Sequence, residues 1–99
     1  MKRKKIIITG GATRIGAAIA KSLAGYETAI SIHYNKSKGN ALKLKKELEN
    51  LGSEVYLLKA DLNNLKQTQT LLKLAYSKMK GLNCLINNAS LFENDNLQN

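Results

Sequence analysis

The stretch Ile6-Ile7-Ile8-Thr9-Gly10-Gly11-Ala12-Thr13-Arg14-Ile15-Gly16 constrains the chain more than any other. Three β-branched residues in a row read as a buried strand, and the glycine pair stops it. Beyond it, Ile15, Ala18, Ile19 and Leu23 recur at i, i+3, i+4 and i+8, a helical period. A strand, a tight turn and a helix start leave the first helical N–H groups without acceptors and aim a positive dipole end at the turn. Gly10 suits a turn residue with positive φ, and Gly16 lets the helix approach the sheet without a Cβ in the way. The turn is a candidate phosphate cradle for a dinucleotide; the rival reading is an ordinary βα turn that binds nothing. It departs from G-x-G-x-x-G, because Arg14 occupies the slot where a further glycine would fall.

Downstream, strand and helix periods alternate. Thr28 to His33 reads as a second strand with apolar Ala29, Ile30 and Ile32. Ser37 is placed to cap a helix reaching about Leu51, with Ala41, Leu44, Leu48 and Leu51 on its apolar face and Gly52 as its C′ residue. Glu54 to Lys59 makes a third strand. Asp61 to Asn64 supplies a turn and cap, and the next helix presents Leu65, Thr68, Leu72, Ala75 and Met79 on one face and closes at Gly81. Leu82 to Ile86 is a fourth strand. Such alternation builds βαβ units and a parallel sheet with right-handed crossovers. The expected fold is α/β, a Rossmann-type doubly wound parallel sheet of order 3-2-1-4, truncated after the fourth strand. Sheets of this kind usually carry further strands past the switch point. The fourth strand is therefore expected to be a bare apolar edge with no proline to blunt it, and residues 1–99 to be the N-terminal half of a larger unit.

Ninety-nine residues make one domain at most. The charge of +9, from 16 Lys and Arg against 7 Asp and Glu, favours anionic partners, so nucleic acid is weighed beside phosphates. Most of that excess is lysine spread along helices, and aromatic residues are few, so the stacking platform of a single-strand binder is missing. Cys84 lies in an apolar run and reads as a small buried hydrophobe rather than a metal ligand. Met1 to Lys5 before Ile6 is like a secretory n-region, but the apolar run is too short and is interrupted by Gly10, Gly11 and Arg14. No stretch is long enough to span a membrane, and a cytoplasmic protein is expected.

The end of the second strand carries the chemistry. A fold that binds NAD places an acidic side chain about 20 residues past the glycine turn, to take the ribose hydroxyls. This chain has His33-Tyr34-Asn35-Lys36-Ser37 there, without a carboxylate. Lysine, hydroxyl and amide donors suit a 2′-phosphate, and Arg14 adds a second positive charge. The inference is NADP(H) over NAD(H), with a solvated loop as the alternative.

Thr9-Gly10-Gly11-Ala12-Thr13-Arg14-Ile15-Gly16, Ala60-Asp61-Leu62 and Asn87-Asn88-Ala89-Ser90 together resemble the ordered landmarks of the short-chain dehydrogenase/reductase family. The finer resemblance is to its pteridine reductase branch. That branch also has arginine in the middle-glycine slot, a His-Tyr-x-basic-Ser run after the second strand, and an Asn-Asn-Ala-Ser turn with phenylalanine two residues on, where Phe92 falls. The resemblance implies that Arg14, Ile15 and the Gly10–Gly16 backbone face the pyrophosphate, and that Asn35, Lys36 and Ser37 hold the 2′-phosphate. It implies that Asp61 bonds the adenine amino group with Leu62 beside it, and that Asn88, Ala89 and Ser90 run past the ribose. In that branch the counterparts of Arg14 and Ser90 also touch substrate, and that of Phe92 stacks on the pterin; simple hydrophobic cover of the turn is the other reading of Phe92. Leu91 departs from the small polar residue often found between them. His33 reads as a hydrogen-bonded structural residue that also lines the cofactor loop.

In the resembling family a Tyr-x-x-x-Lys pair on a later helix passes the proton as hydride moves. Tyr34…Lys38 and Tyr76…Lys80 match that spacing, yet the first sits at the proposed 2′-phosphate loop and the second on a helix before the fourth strand. Both are read as coincidental, so no catalytic residue is assigned and no metal site is expected. The resemblance implies an NADP(H)-dependent reductase acting on a pterin, dihydrofolate or related carbonyl compound. A split gene, a second polypeptide that completes the fold, and a non-catalytic nucleotide-binding remnant stand as alternatives. Homo-oligomers are usual in the family.

Overall fold

The computed structural model describes residues 3–88. Its elements are β1 (Lys4–Thr9), α1 (Arg14–Leu23), β2 (Thr28–Tyr34), α2 (Lys38–Asn50), β3 (Glu54–Lys59), α3 (Leu65–Met79) and β4 (Cys84–Asn87). All strand pairings are parallel, and the order is β3-β2-β1-β4, as the alternation predicts. β2 runs one residue further than expected, to Tyr34, while β4 starts at Cys84 and takes in Asn87.

The alternating direction of strand side chains divides the core in two. Ile6 and Ile8 of β1 share one face with Ile30, Ile32 and Val55, under Ala20 of α1 and Leu44 and Leu48 of α2. Ile7 lies on the opposite face with Ala29 and Leu58, under Leu71, Ala75 and Met79 of α3. Ile7, Ile8, Ile30 and Ile32 are wholly enclosed, each burial contributing roughly 1.5–3 kcal/mol before the cost of ordering the chain. Strands covered on both faces explain the unbroken apolar run of β1 and the burial of β2 along nearly its whole length. Cys84 is half-buried and packs against the first cluster, so it serves as a small hydrophobe.

Helix faces are where the structure departs from the periodic reading. On α1, Ile15 is 49% exposed, Leu23 is 36% exposed and Ala18 is exposed. The buried side is Gly16 and Ala20, flanked by Ala17 and Ile19. Gly16 meets the turn backbone, and Ala17, Ile19 and Ala20 are the residues of α1 packed on the core. On α3, Leu65 is 73% exposed and Leu71 takes the buried position, in line with Ala75 and Met79. Leu51, at the C-cap of α2, is 50% exposed. Ser37 stands at the N-cap position, but its hydroxyl makes no capping bond; only its carbonyl is used, by the Ala41 N–H. The left-handed cap of α3 is Lys80, one residue ahead of Gly81. Among the described residues β4 is a sheet edge with Leu85 49% exposed, and no helix is long and apolar enough to cross a membrane.

Candidate functional site

β1 has β2 on one side and β4 on the other, which makes its carboxyl end the topological switch point, where open α/β sheets bind ligands. The turn there is held by two backbone bonds and by the side chains of His33, Thr13 and Asn88. Gly10 has φ +64 and turns the chain out of β1. Its N–H donates to His33 Nδ1 at 2.9 Å, and the Gly11 N–H donates to the His33 carbonyl at 3.0 Å. The Gly10 carbonyl accepts from the Thr13 N–H, the Thr13 hydroxyl and Asn88 Nδ2. The Thr13 hydroxyl in turn caps α1 by accepting from the Gly16 N–H at 3.1 Å.

This wiring determines which amides stay open. The N–H groups of Gly10, Gly11, Thr13 and Gly16 are all used internally. Among the described residues, those of Arg14 and Ile15 at the first turn of α1 have no acceptor. They are the two side-by-side donors that a helix start offers an anion. Gly16 has its place because a Cβ there would sit 2.3 Å from the Gly10 carbonyl oxygen and 2.7 Å from Gly11 Cα. The close approach is thus between helix and turn, rather than between helix and sheet.

An open cleft of about 420 Å³ lies over these carboxyl ends. Gly10, His33, Tyr34, Asn35, Lys36, Ser37, Asp61 and Leu62, all expected from the sequence, line it together. Ala12, Thr13 and Asn63 line it as well. Thr13 was legible as the residue three before Gly16 at a helix start, and Asn63 as part of the Asp61 turn. Asp61 Oδ1 accepts from the Asn63 N–H at 2.9 Å, while the Asp61 N–H donates to Gln67 Oε1 at 2.8 Å. The carboxylate is held at the cleft wall by its own turn. Arg14 and Ile15 are exposed at the start of α1, outside the cleft lining, and Gly16 is buried behind the turn. Among the described residues neither Arg14 nor Lys36 has an ion-pair partner, so both charges remain available to an anion.

Asn87, the last residue of β4, and Asn88 after it act as ties. Thr9 Oγ1 donates to Asn87 Oδ1 at 3.0 Å, joining β1 to β4. Asn88 is 1% exposed and spends Nδ2 on the Gly10 carbonyl and the Thr13 hydroxyl, while its Oδ1 is buried without a partner among the described residues. Ala89, Ser90 and Phe92 lie outside the described residues. The two Tyr-x-x-x-Lys matches fall in different places. Tyr34 ends β2 while Lys38 opens α2, and Tyr76 is 61% exposed, about 16 Å along α3 from its cleft end at 1.5 Å per residue.

A parallel sheet wrapped by helices on both faces, with an amide-lined turn at its switch point, defines a Rossmann-like protein. The family model for short chain dehydrogenases matches residues 4–99. An oxidoreductase of Methylorubrum extorquens is 30% identical over 93 residues, which cover 94% of this chain and 38% of that protein. The short-chain dehydrogenase of Oenococcus oeni superposes with a TM-score of 0.80 at 36% identity, over 87% of this chain and 40% of that one. A Burkholderia cenocepacia dehydrogenase with bound NADP gives 0.80 at 28% identity, over 87% and 34%. An NADH-dependent reductase complexed with NAD gives 0.79 at 28%, over 87% and 36%. The chain belongs to the short-chain dehydrogenase family and spans 34–40% of the length of these relatives.

Proposed function

We propose that residues 1–99 form the NADP(H)-binding half of a pteridine-reductase-like short-chain reductase. The observation that carries this reading is the cleft wall at the end of β2. Asn35, Lys36 and Ser37 line it without a carboxylate, and the Ser37 hydroxyl is free of helix capping. Neighbours of nearly equal structural similarity hold NADP in one case and NAD in another, so the backbone does not choose between them. That choice falls to charge at this wall, where a 2′-phosphate would meet an ammonium and two neutral donors.

The open amides of Arg14 and Ile15 would receive the pyrophosphate, with the Arg14 guanidinium adding charge. Asp61 and Leu62 would hold the adenine by hydrogen bond and packing, and Asn88, with Ala89 and Ser90, would follow the ribose. The cofactor supplies the hydride; the chain's own groups bind and orient it. Arg14, Ser90 and Phe92 are the residues assigned to a pterin, dihydrofolate or related carbonyl substrate. Tyr34 and Tyr76 are not placed as proton donors, so residues 1–99 are expected to bind cofactor without reducing a pterin. Completion by a second polypeptide, or assembly as a homo-oligomer, belongs to the same proposal.

Titrating the chain with NADPH and with NADH tests it. Charge-assisted contacts of about 1.5–3 kcal/mol predict NADPH tighter by roughly 10- to 100-fold. Lys36→Ala should narrow that gap while leaving NADH affinity unchanged. Equal binding of the two would remove the NADP assignment, and no binding to a folded sample would remove the cofactor assignment altogether.

A further inference from the structure

The proposed function uses His33 only as part of the cleft lining, but its hydrogen bonds give it a sharper part. The side chain is 3% exposed and bridges two strand ends. Gly10 N–H donates to Nδ1 at 2.9 Å, and Nε2 lies 2.8 Å from the Ala60 carbonyl oxygen. A backbone amide can only donate and a backbone carbonyl can only accept. Nδ1 therefore carries the lone pair and Nε2 the proton, which is one neutral tautomer and no other. Through its ring and its carbonyl, this residue holds two consecutive turn amides, those of Gly10 and Gly11. The other end of the ring is anchored to Ala60, next to Asp61, and the Ala60 N–H donates to the Tyr34 carbonyl at 3.1 Å. The imidazole thus spans from the end of β1 to the end of β3 across the cleft floor.

We infer that His33 is the positioning residue of the cofactor turn, and that its neutral form is a condition of tight dinucleotide binding. Protonation at Nδ1 puts an N–H opposite the Gly10 N–H, donor against donor, and the Gly10 bond must break. Gly10 also carries the carbonyl that orients Thr13 and Asn88, so releasing it loosens the cap that keeps the Arg14 and Ile15 amides aimed at an anion. Among the described residues, the titratable groups sharing this end of the sheet are Tyr34 on β2, Lys36 before α2 and Lys38 at its start, Lys59 ending β3, Asp61 after it and Arg14 on α1. Lys36, Lys59 and Arg14 oppose a positive imidazole, and Asp61 favours one. The inference rests on the dinucleotide reading of the cleft and goes beyond it by making affinity depend on one proton.

The test is NADP+ affinity of the full chain by calorimetry from pH 8 to pH 5.5, for the wild type and for His33→Gln. A glutamine amide offers a neighbouring acceptor and donor but does not titrate there. The 2′-phosphate takes up its own proton in both proteins, so only the difference between the two curves counts. A site that requires a neutral imidazole loses up to tenfold in affinity per pH unit below the histidine's titration. The wild type is therefore expected to lose affinity more steeply than the variant on acidification, by up to tenfold for each pH unit below the titration of His33. Parallel curves would overturn the role of His33 while leaving the cofactor site standing. No wild-type binding at any pH would overturn both. A second readout does not depend on the variant folding. The chain has a single histidine, so a long-range proton–nitrogen NMR spectrum reads its tautomer without assignment. A neutral ring protonated at Nε2 at pH 7.5 is expected, and an Nδ1–H form or an imidazolium there would overturn the inference.

Discussion

Replacing Gly16 by alanine probes the turn most directly. The added Cβ would meet the Gly10 carbonyl oxygen at 2.3 Å and Gly11 Cα at 2.7 Å. Both are backbone atoms, and Gly10 is held by His33, Thr13 and Asn88, so neither moves aside as the end of a side chain would. An ordinary carbon–oxygen contact is roughly 3.3 Å, so the helix start and the turn must part by about 1 Å. Overpacking of this kind costs about 1–3 kcal/mol. The better helix propensity of alanine offsets at most about 1 kcal/mol of it. A net loss of roughly 1–2 kcal/mol is expected. Gly39, in the first turn of α2, is the control, since nothing lies within 4 Å of its would-be Cβ. Gly39→Ala should be stabilising by about 0.4–1 kcal/mol, through a less flexible unfolded chain. Urea unfolding followed by helical circular dichroism measures both as midpoint shifts at constant slope. A Gly16→Ala midpoint at or above wild type would refute the contact argument, and a Gly39→Ala midpoint below it would refute the open-space argument.

Three further outcomes follow from named groups. Asn88→Asp turns a donor to the Gly10 carbonyl into an acceptor, and should cost about 1–3 kcal/mol in the same urea assay; an unchanged midpoint would show that the Asn88 tie carries no weight. Ser31 is fully buried with its hydroxyl unpartnered among the described residues. Ser31→Ala should therefore be neutral or stabilising by up to about 1 kcal/mol, and a clear loss would reveal a hydrogen bond to that hydroxyl. Tyr56 donates to the Glu54 carboxylate, and this bond, with lesser parts from burial and the Glu54 charge and some opposition from Arg3, raises its pKa above the usual tyrosine value. The folded state thus favours the protonated ring. That stabilisation is complete below the unfolded tyrosine pKa and is lost as the pH rises through the folded one. In a tyrosinate absorbance titration, the step missing from Tyr56→Phe should be the high-pH one; if the missing step falls within the range of the other tyrosines, the bond to Glu54 is not formed in solution.

The order of elements, the parallel sheet and the cleft wall were legible in the residues alone, because they follow from local rules. Period-2 and period-3.6 runs announce strands and helices, and glycine and asparagine mark where they stop. The identity of the wall residues is a matter of spacing from Gly10, which a linear text preserves. The buried face of α2 (Ala41, Leu44, Leu48) was legible too, whereas the side α1 buries and the exposure of Leu65 on α3 were decided only on assembly. Ile15 and Leu23 read as core by their spacing, yet α1 turns Gly16, Ala17, Ile19 and Ala20 inward and leaves those two exposed. The same is true of His33 and Asn88. Neither shows its partner in the sequence, since Gly10 lies 23 residues from one and 78 from the other. Their single geometry comes from parallel register, which brings the ends of β1, β2, β3 and β4 to one edge. There each buried donor must find an acceptor or cost the chain its desolvation.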